Sequence, residues 1–334
     1  MKTITIADVA KHAAVSKSTV SQFLNQRYDY MGKDTKKRIE LAVKELGFSP
    51  NIVARSLKQK STMTIGVIVA NILHVFSTQV IRAIEDFCNE SNFHIIVCNA
   101  DDDPAKEKRY IDMLRAKQVD GIIAFPTGDN VDLYKQLINN KYPIVFMDRI
   151  VPGISISTVL LDNEKASKLA IDAFVKKGYE KIGMITPPLV KGITPRMERI
   201  NGYKHALKNH HIPYTPGYLV SAEIPDIQTG LKEMLELPDP PKALLAVNDR
   251  VLFEILKYTK QYQINIPEDL AVIGIDDVSF AGFYSPALTT IAQPAFDMGK
   301  KAASLLLNRI RDKSPDIDSE IHRFEPRLMD RESY

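Results

Sequence analysis

Cysteine is scarce, with Cys88 and Cys98 the only two among 334 residues. Two thiols build neither a disulfide framework nor a four-thiolate zinc site, and the apolar neighbours Phe87, Ile96 and Val97 point to buried, reduced side chains. Long apolar runs are missing as well. No stretch of eighteen apolar residues occurs, and Asp8 and Lys11 interrupt the N-terminus where a signal peptide needs its apolar core. Neither a membrane span nor an export signal is expected, which places the chain in the cytoplasm. Also absent are G-x-G-x-x-G, a Walker A loop, a G-x-S-x-G elbow and any metal-ligand cluster. An enzyme using Asp148, Asp276 or Asp277 as acid and base on a carbohydrate is therefore disfavoured, and no metal or cofactor is expected.

What is present describes an ordinary globular chain, 45% apolar and 25% charged, long enough for two or three domains. The net charge of +3 hides an asymmetry. Residues 1–60 carry twelve Lys or Arg against five Asp or Glu, whereas the rest carries 32 against 36. A basic head on a mildly acidic body suggests a polyanionic partner for the head.

Within the head, Ile6, Val9, Ala10 and Ala13 repeat at helical spacing, and after Ala14-Val15-Ser16 a second set follows at Val20, Phe23 and Leu24. Two short helices around a tight turn are predicted, with Ser16 as N-cap of the second. If Val20 and Leu24 face inward, Lys17, Ser18, Ser21 and Gln22 share the outer face. A polar stripe on a helix braced across another is what entry into a DNA major groove requires. On chemical grounds Gln22 suits the adenine N6/N7 edge, and Lys17 suits guanine O6/N7 or a phosphate. A third helix reads from Lys33 to Leu46, with Ile39, Val43 and Leu46 inward and Gly47 as its stop. The alternative, a helical cap or oligomerisation bundle, has the same periodicity.

Ser49 to Ser61, SPNIVARSLKQKS, is a helix candidate too short to be stable alone. Leu57 can act as an apolar wedge in a minor groove while Arg55, Lys58 and Lys60 reach phosphates.

Beyond Ser61, short apolar runs alternate with amphipathic helices: TIGVIVA (64–70), HIIVC (94–98), DGIIAF (120–125), PIVFM (143–147), then KIGMI (181–185), ALLAV (243–247) and AVIGI (271–275). Such runs predict parallel sheets covered on both faces, in two doubly wound lobes with a ligand cleft at the strand carboxyl ends. Asn71, Asp148-Arg149, Asn248-Asp249 and Asp276-Asp277 follow strands, and Arg199 lies in RMERINGY. Paired carboxylates, amides and guanidiniums suit a sugar or sugar acid, although any one Asp or Asn after a strand serves equally as a helix cap.

TIADVAKHAAVSKSTVSQFLN, the PNIVARSLKQKST segment, VNDRVLFEIL and INIPEDLAVIGIDDVSFAGFYSPALTTIAQP resemble the lactose/galactose repressor family of bacterial transcription regulators, over essentially the whole chain. The resemblance implies an α/β protein: a three-helix helix-turn-helix domain at 1–48, a hinge helix at 49–61, and a periplasmic-binding-protein-like effector and dimerisation core at 62–334. Its first lobe is expected at about 62–162 plus 293–320, its second at about 163–292 plus 321–334. DNA contacts would come from Thr5, Ser16, Lys17, Ser18, Ser21, Gln22 and Asn25 in the head, and from Asn51, Ala54, Arg55, Leu57 and Lys58 in the hinge. Effector contacts would come from Asn71, Phe76, Asp148, Arg149, Arg199, Asn248, Asp276 and Gln293.

Three departures from the family pattern stand out. Gln22 replaces a frequent Arg, Ala14 a frequent Gly, and NILHVFST places His74 after the first strand, where it either meets an anionic ligand or serves as a cap or at the lobe interface. The implied function is repression of a carbohydrate operon by a homodimer on a pseudopalindromic operator in double-stranded DNA, relieved by the effector. ITPRMERINGYKHAL and NILHVFSTQVIRAIEDFC look like regulators that respond to 2-keto-3-deoxygluconate. An exported sugar-binding protein would share the two lobes, but the basic head and missing signal argue against it. The chain ends at PRLMDRESY without leucine heptads, so a dimer is expected rather than a tetramer.

Overall fold

In the computed structural model the described residues are 4–29, 31–49, 61–189, 193–312 and 319–334. The chain divides into two compact units, Met1–Thr62 and Met63–Tyr334.

In the smaller unit α1 (Ile6–His12) is opened by Thr5, whose N–H donates to Asp8 Oδ2 at 2.8 Å. One acidic side chain thereby closes the helix start. For α2 (Lys17–Leu24), the N-cap Ser16 accepts from the Thr19 N–H at 3.1 Å. α3 (Lys33–Glu45) stops before Gly47, whose φ of +57° is the left-handed conformation glycine adopts freely. Val9, Ala10, Ala13, Val20, Ile39 and Ala42 form the core, and Leu24, Val43 and Leu46 pack at its rim. Ala14, in the turn between α1 and α2, also has a left-handed φ, +51°. Nearly all of the predicted hinge, residues 50–60, lies outside the described residues.

In the larger unit the first series is β1 (Thr64–Val69), α4 (Val75–Glu90), β2 (His94–Asn99), α5 (Pro104–Ala116), β3 (Gly121–Ala124), α6 (Val131–Asn139), β4 (Ile144–Met147) and β5 (Thr158–Leu161). A second follows as α7 (Asn163–Lys176), β6 (Ile182–Thr186), α8 (Thr194–Asn209), β7 (Leu219–Ser221), α9 (Ile227–Leu235), β8 (Ala243–Ala246), α10 (Asp249–Gln261), β9 (Ala271–Ile275) and β10 (Thr289–Ala292). The chain ends with α11 (Ala295–Arg311), β11 (Ile321–Phe324) and β12 (Arg327–Met329). The first sheet has the order β11-β5-β4-β3-β1-β2, and all its neighbours are parallel. The second has the order β12-β10-β9-β8-β6-β7, parallel except between β10 and β12. β3, β4, β8 and β9 are buried at every position, because helices cover both faces.

The seven sequence-predicted strands are β1 to β4, β6, β8 and β9, with ends displaced by at most one residue. β5, β7, β10, β11 and β12, three or four residues each, were not predicted; β7, β10, β11 and β12 lack the continuous apolar run that marks the equally short β3, β4 and β8.

The chain passes between the sheets after Leu161, after Ala292 and after Phe324. The last passage corrects the expected boundary at 320/321. Ile321–Phe324 pairs with Thr158–Leu161 at the open edge of the first sheet, and only Arg327–Met329 joins the second. As anticipated, α11 returns to the first lobe, packing on α4, β3, β4 and β5. Among the described residues no helix is long and apolar enough to cross a membrane.

Candidate functional site

On α2, Lys17, Ser18 and Gln22 are exposed while Val20 is fully buried, so the polar stripe is the outer face. Several other expected DNA contacts also hold the backbone. Thr5 caps α1, Ser16 Oγ lies 2.6 Å from Ser18 Oγ and 2.8 Å from Thr19 Oγ1, and Asn25 Nδ2 donates to the Ser21 carbonyl at 2.7 Å. Ser21 is half-buried. Asn51, Ala54, Arg55, Leu57 and Lys58 lie outside the described residues.

In the larger unit, strand ends from both lobes converge on one cleft, lined among others by Phe76, Asp148, Arg149, Arg196, Arg199, Asn248, Asp276 and Gln293. It is narrow, with about 60 Å³ of cavity space. Seven of the eight residues expected to meet an effector lie there. Asn71 does not: the chain turns at 71–74, and the Asn71 amide oxygen accepts from the Leu73 N–H at 2.9 Å, a local turn bond. Asn248 does both jobs, lining the cleft and capping α10 through a 2.9 Å bond from the Val251 N–H. Phe76 is 6% exposed and meets Phe125 edge-on at 6.3 Å between ring centroids.

The two lobes contribute matching aspartates. Asp148 follows β4 at φ +67° and Asp276 follows β9 at φ +87°, both in a left-handed region that is strained for a non-glycine residue. Burial pushes the Asp276 carboxyl up, Asp249 adds to the rise, and Arg199, Gln293 and His74 oppose it without cancelling. Burial raises Asp148 in the same way against Arg149, Arg199 and His74.

Cations face these carboxyls. Arg199 is 4% exposed; its Nε donates to Asn163 Oδ1 at 2.8 Å and its Nη1 to the Val247 carbonyl at 2.6 Å. Arg149 Nη1 donates to Asp102 Oδ1 at 2.6 Å, while its buried Nε has no hydrogen-bond partner within the protein. Gln293 Nε2 donates to Asp276 Oδ1 at 2.5 Å, leaving its own buried Oε1 unpartnered. The Arg149 Nε also faces Asp148 Oδ2 at 3.7 Å, too long for a hydrogen bond, so a buried donor and a buried acceptor without hydrogen bonds share one cleft, which is what a polar ligand would satisfy.

Asp102 and Arg196 were not among the expected effector contacts, and with Asp249, noted from the sequence only for its place after a strand, they fasten the lobes together. Arg196 Nη2, on α8, lies 3.3 Å from Asp102 Oδ2, which follows β2. Burial pushes Asp102 up, but Arg149 and Arg196 outweigh it and hold the carboxyl below its ordinary range. His74 Nδ1 lies 2.6 Å from Asp249 Oδ1, and the Val75 N–H donates to Asp249 Oδ2 at 2.7 Å. His74 thus bridges the lobes and also lines the cleft. Burial raises Asp249 as well, yet His74 and the N–H groups of Val75 and Arg250 bring it below the usual range. A signal for Asp102 was available, since it too follows a strand.

Among the described residues no cluster of His, Cys, Asp or Glu could hold a metal ion. Both cysteines are buried and free, and burial pushes the Cys88 thiol up to about 11. Redox chemistry has no foothold there.

A helix-turn-helix head followed by a two-lobed body with a polar cleft defines a ligand-binding DNA reader. Residues 5–51 match the bacterial regulatory proteins of the lacI family, and residues 171–334 match the periplasmic binding protein-like domain. The probable HTH-type transcriptional regulator EndR of Paenibacillus polymyxa is 49% identical over 332 residues, 98% of each chain. The HTH-type transcriptional regulator KdgR of Bacillus subtilis (strain 168) is 33% identical, covering 92% of this chain and 91% of its own. The Lac repressor bound to ONPG in the repressed state superposes with a TM-score of 0.86 at 24% identity, over the full length of both chains. The chain belongs to the lacI family. It is a DNA-binding transcriptional regulator, and its relatives are regulators, not enzymes.

Proposed function

We propose that the regulator represses a carbohydrate operon as a homodimer on a pseudopalindromic operator, and that a small sugar acid entering the cleft releases it. The observation that carries this reading is the cleft's charge: the guanidiniums of Arg149, Arg196 and Arg199 meet there, and the Arg149 Nε–H makes no hydrogen bond, with Asp148 Oδ2 3.7 Å away. Arg149 and Arg199 suit two-bond recognition of a carboxylate. Asp148 and Asp276, with raised pKa values, can hold a proton and donate to ligand hydroxyls more readily than exposed aspartates. The narrow cavity favours a single compact molecule over a long oligosaccharide. Of this class 2-keto-3-deoxygluconate is the candidate that the sequence resemblance singles out. A neutral sugar is the second reading, favoured by the carboxyl pair, which needs only hydroxyls.

Calorimetric titration of 2-keto-3-deoxygluconate, galacturonate, glucose and cellobiose into the full chain separates the two. Heat from an acid alone supports the sugar-acid reading. Heat from a neutral sugar alone replaces it.

A further inference from the structure

The effector-facing guanidinium is the end of a hydrogen-bonded chain that runs to the hinge between the lobes. Arg199 Nε donates to Asn163 Oδ1 at 2.8 Å, and Asn163, fully buried, donates through Nδ2 to Glu198 Oε2 at 3.0 Å. Glu198 in turn takes a two-bond fork from Arg323, Nη2 to Oε1 at 2.7 Å and Nη1 to Oε2 at 3.0 Å. The Leu161 carbonyl accepts from Asn163 Nδ2 at 3.3 Å and from Arg323 Nη1 at 3.2 Å. Four side chains thus share one cluster. Its place in the chain is what matters: Leu161–Asn163 is the first passage between the sheets, and Arg323 is the penultimate residue of β11, just before the last passage begins. The Asp162 N–H donates to the Phe324 carbonyl at 2.8 Å, tying those two passages directly.

Local packing holds the cluster in register. Gly202, one helical turn beyond Glu198 on α8, lies so close to α7 that a Cβ would come within 2.3 Å of the Glu164 carbonyl oxygen. Any change in lobe angle rotates the backbone at 161–163 and 324–327, the segments this cluster grips. Glu198 precedes Arg199 on the same helix, so movement of the ligand-holding residue is felt at the fork.

We propose that Asn163, Glu198 and Arg323 are positioning residues that couple occupancy at Arg199 to the angle of the inter-lobe hinge. This rests on the reading that the effector sits at Arg199, but the fork's grip on the hinge does not. Coupling between two sites requires an element that both sites bias, and the charged fork between α8 and β11 at the lobe passage is placed to be one.

Hydrogen–deuterium exchange on the full chain tests the grip without any ligand. In Arg323→Lys, which keeps the charge and loses the fork, and in Glu198→Gln, exchange should rise at least about tenfold in 158–163 and 320–325 while the lobe cores stay at wild-type rates. Unchanged exchange in those segments, or a uniform rise throughout the larger unit, overturns the proposal, because the cluster is then either idle or merely structural. A second arm compares operator affinity with and without whichever titrated sugar binds the wild type. The variants should bind operator within about twofold of wild type, while the effector-induced change in affinity shrinks about tenfold. Full coupling in both variants also overturns it.

Discussion

At the scale of single residues, two positions show a side chain where the backbone or the electrostatics would prefer another. Ala14 turns the chain between α1 and α2 at φ +51°, a conformation that costs an L-residue about 1 kcal/mol or more. Ala14→Gly should therefore stabilise the head by about 1 kcal/mol, seen as slower amide exchange across residues 6–24. Asp276 is the second. Its carboxyl is buried beside Asp249, and its pKa in the fold is raised from the ordinary 3.8. A raised carboxyl favours folding below that ordinary value, and the advantage disappears as pH rises through the folded pKa. At neutral pH the buried Asp276 carboxyl therefore costs stability. Asp276→Asn should raise the unfolding temperature at pH 7, with Gln293 turning its amide so that the unpartnered Oε1 accepts from the new NH₂ group. The gain should fade as the pH falls towards 4. Effector binding should be lost in the same variant. A neutral-pH melting point at or below wild type would show that the carboxylate is fully compensated.

At the scale of elements, long periodic segments and caps were legible in the sequence. Ser16 before α2, Gly47 after α3 and the apolar runs of β1 to β4 announce themselves because each signal is local. The short strands were not legible, since β11 and β12 are defined by the edge they join rather than by their own residues. The cleft divides in the same way. Asp148, Arg149, Asn248 and Asp276 follow predicted strands, and Arg199 sits within a quoted motif. Arg196 opens the same motif, but its partnership with Asp102 across 94 positions is visible only in three dimensions. Asn71 shows the converse, a strand-end amide used for its own turn.

The outer face of α2 offers the cleanest test at this scale. Gln22→Arg should shift the preferred base opposite that position from adenine to guanine, a discrimination of about 1–3 kcal/mol, read by selecting bound fragments from a randomised DNA pool. An unchanged preference would place Gln22 away from the bases. For the 49–61 segment, Leu57→Ala should weaken operator binding at least about tenfold while leaving sugar titrations unaltered. Equal operator affinity would remove the wedge from the account.

At the scale of the whole molecule, the basic first sixty residues and the mildly acidic remainder correspond to two tasks, holding a polyanion and sensing a small molecule. The energetic demand on such a device is modest. An effector changes operator affinity by no more than its differential affinity for the two lobe arrangements, about 1–3 kcal/mol in typical allosteric proteins. The lobes are joined by His74–Asp249 and Arg196–Asp102, so an effector has to reinforce or compete with contacts of that order.

The most direct test of the central claim, that a ligand at Arg199 governs DNA reading, is to sequence the genomic fragments retained by the full chain and by Arg199→Ala, each with and without 2-keto-3-deoxygluconate. The account predicts that both proteins retain fragments sharing one two-fold symmetric site, and that the sugar acid releases them from wild type but not from the variant. Release from both proteins alike, or retained fragments with no common site, would contradict it.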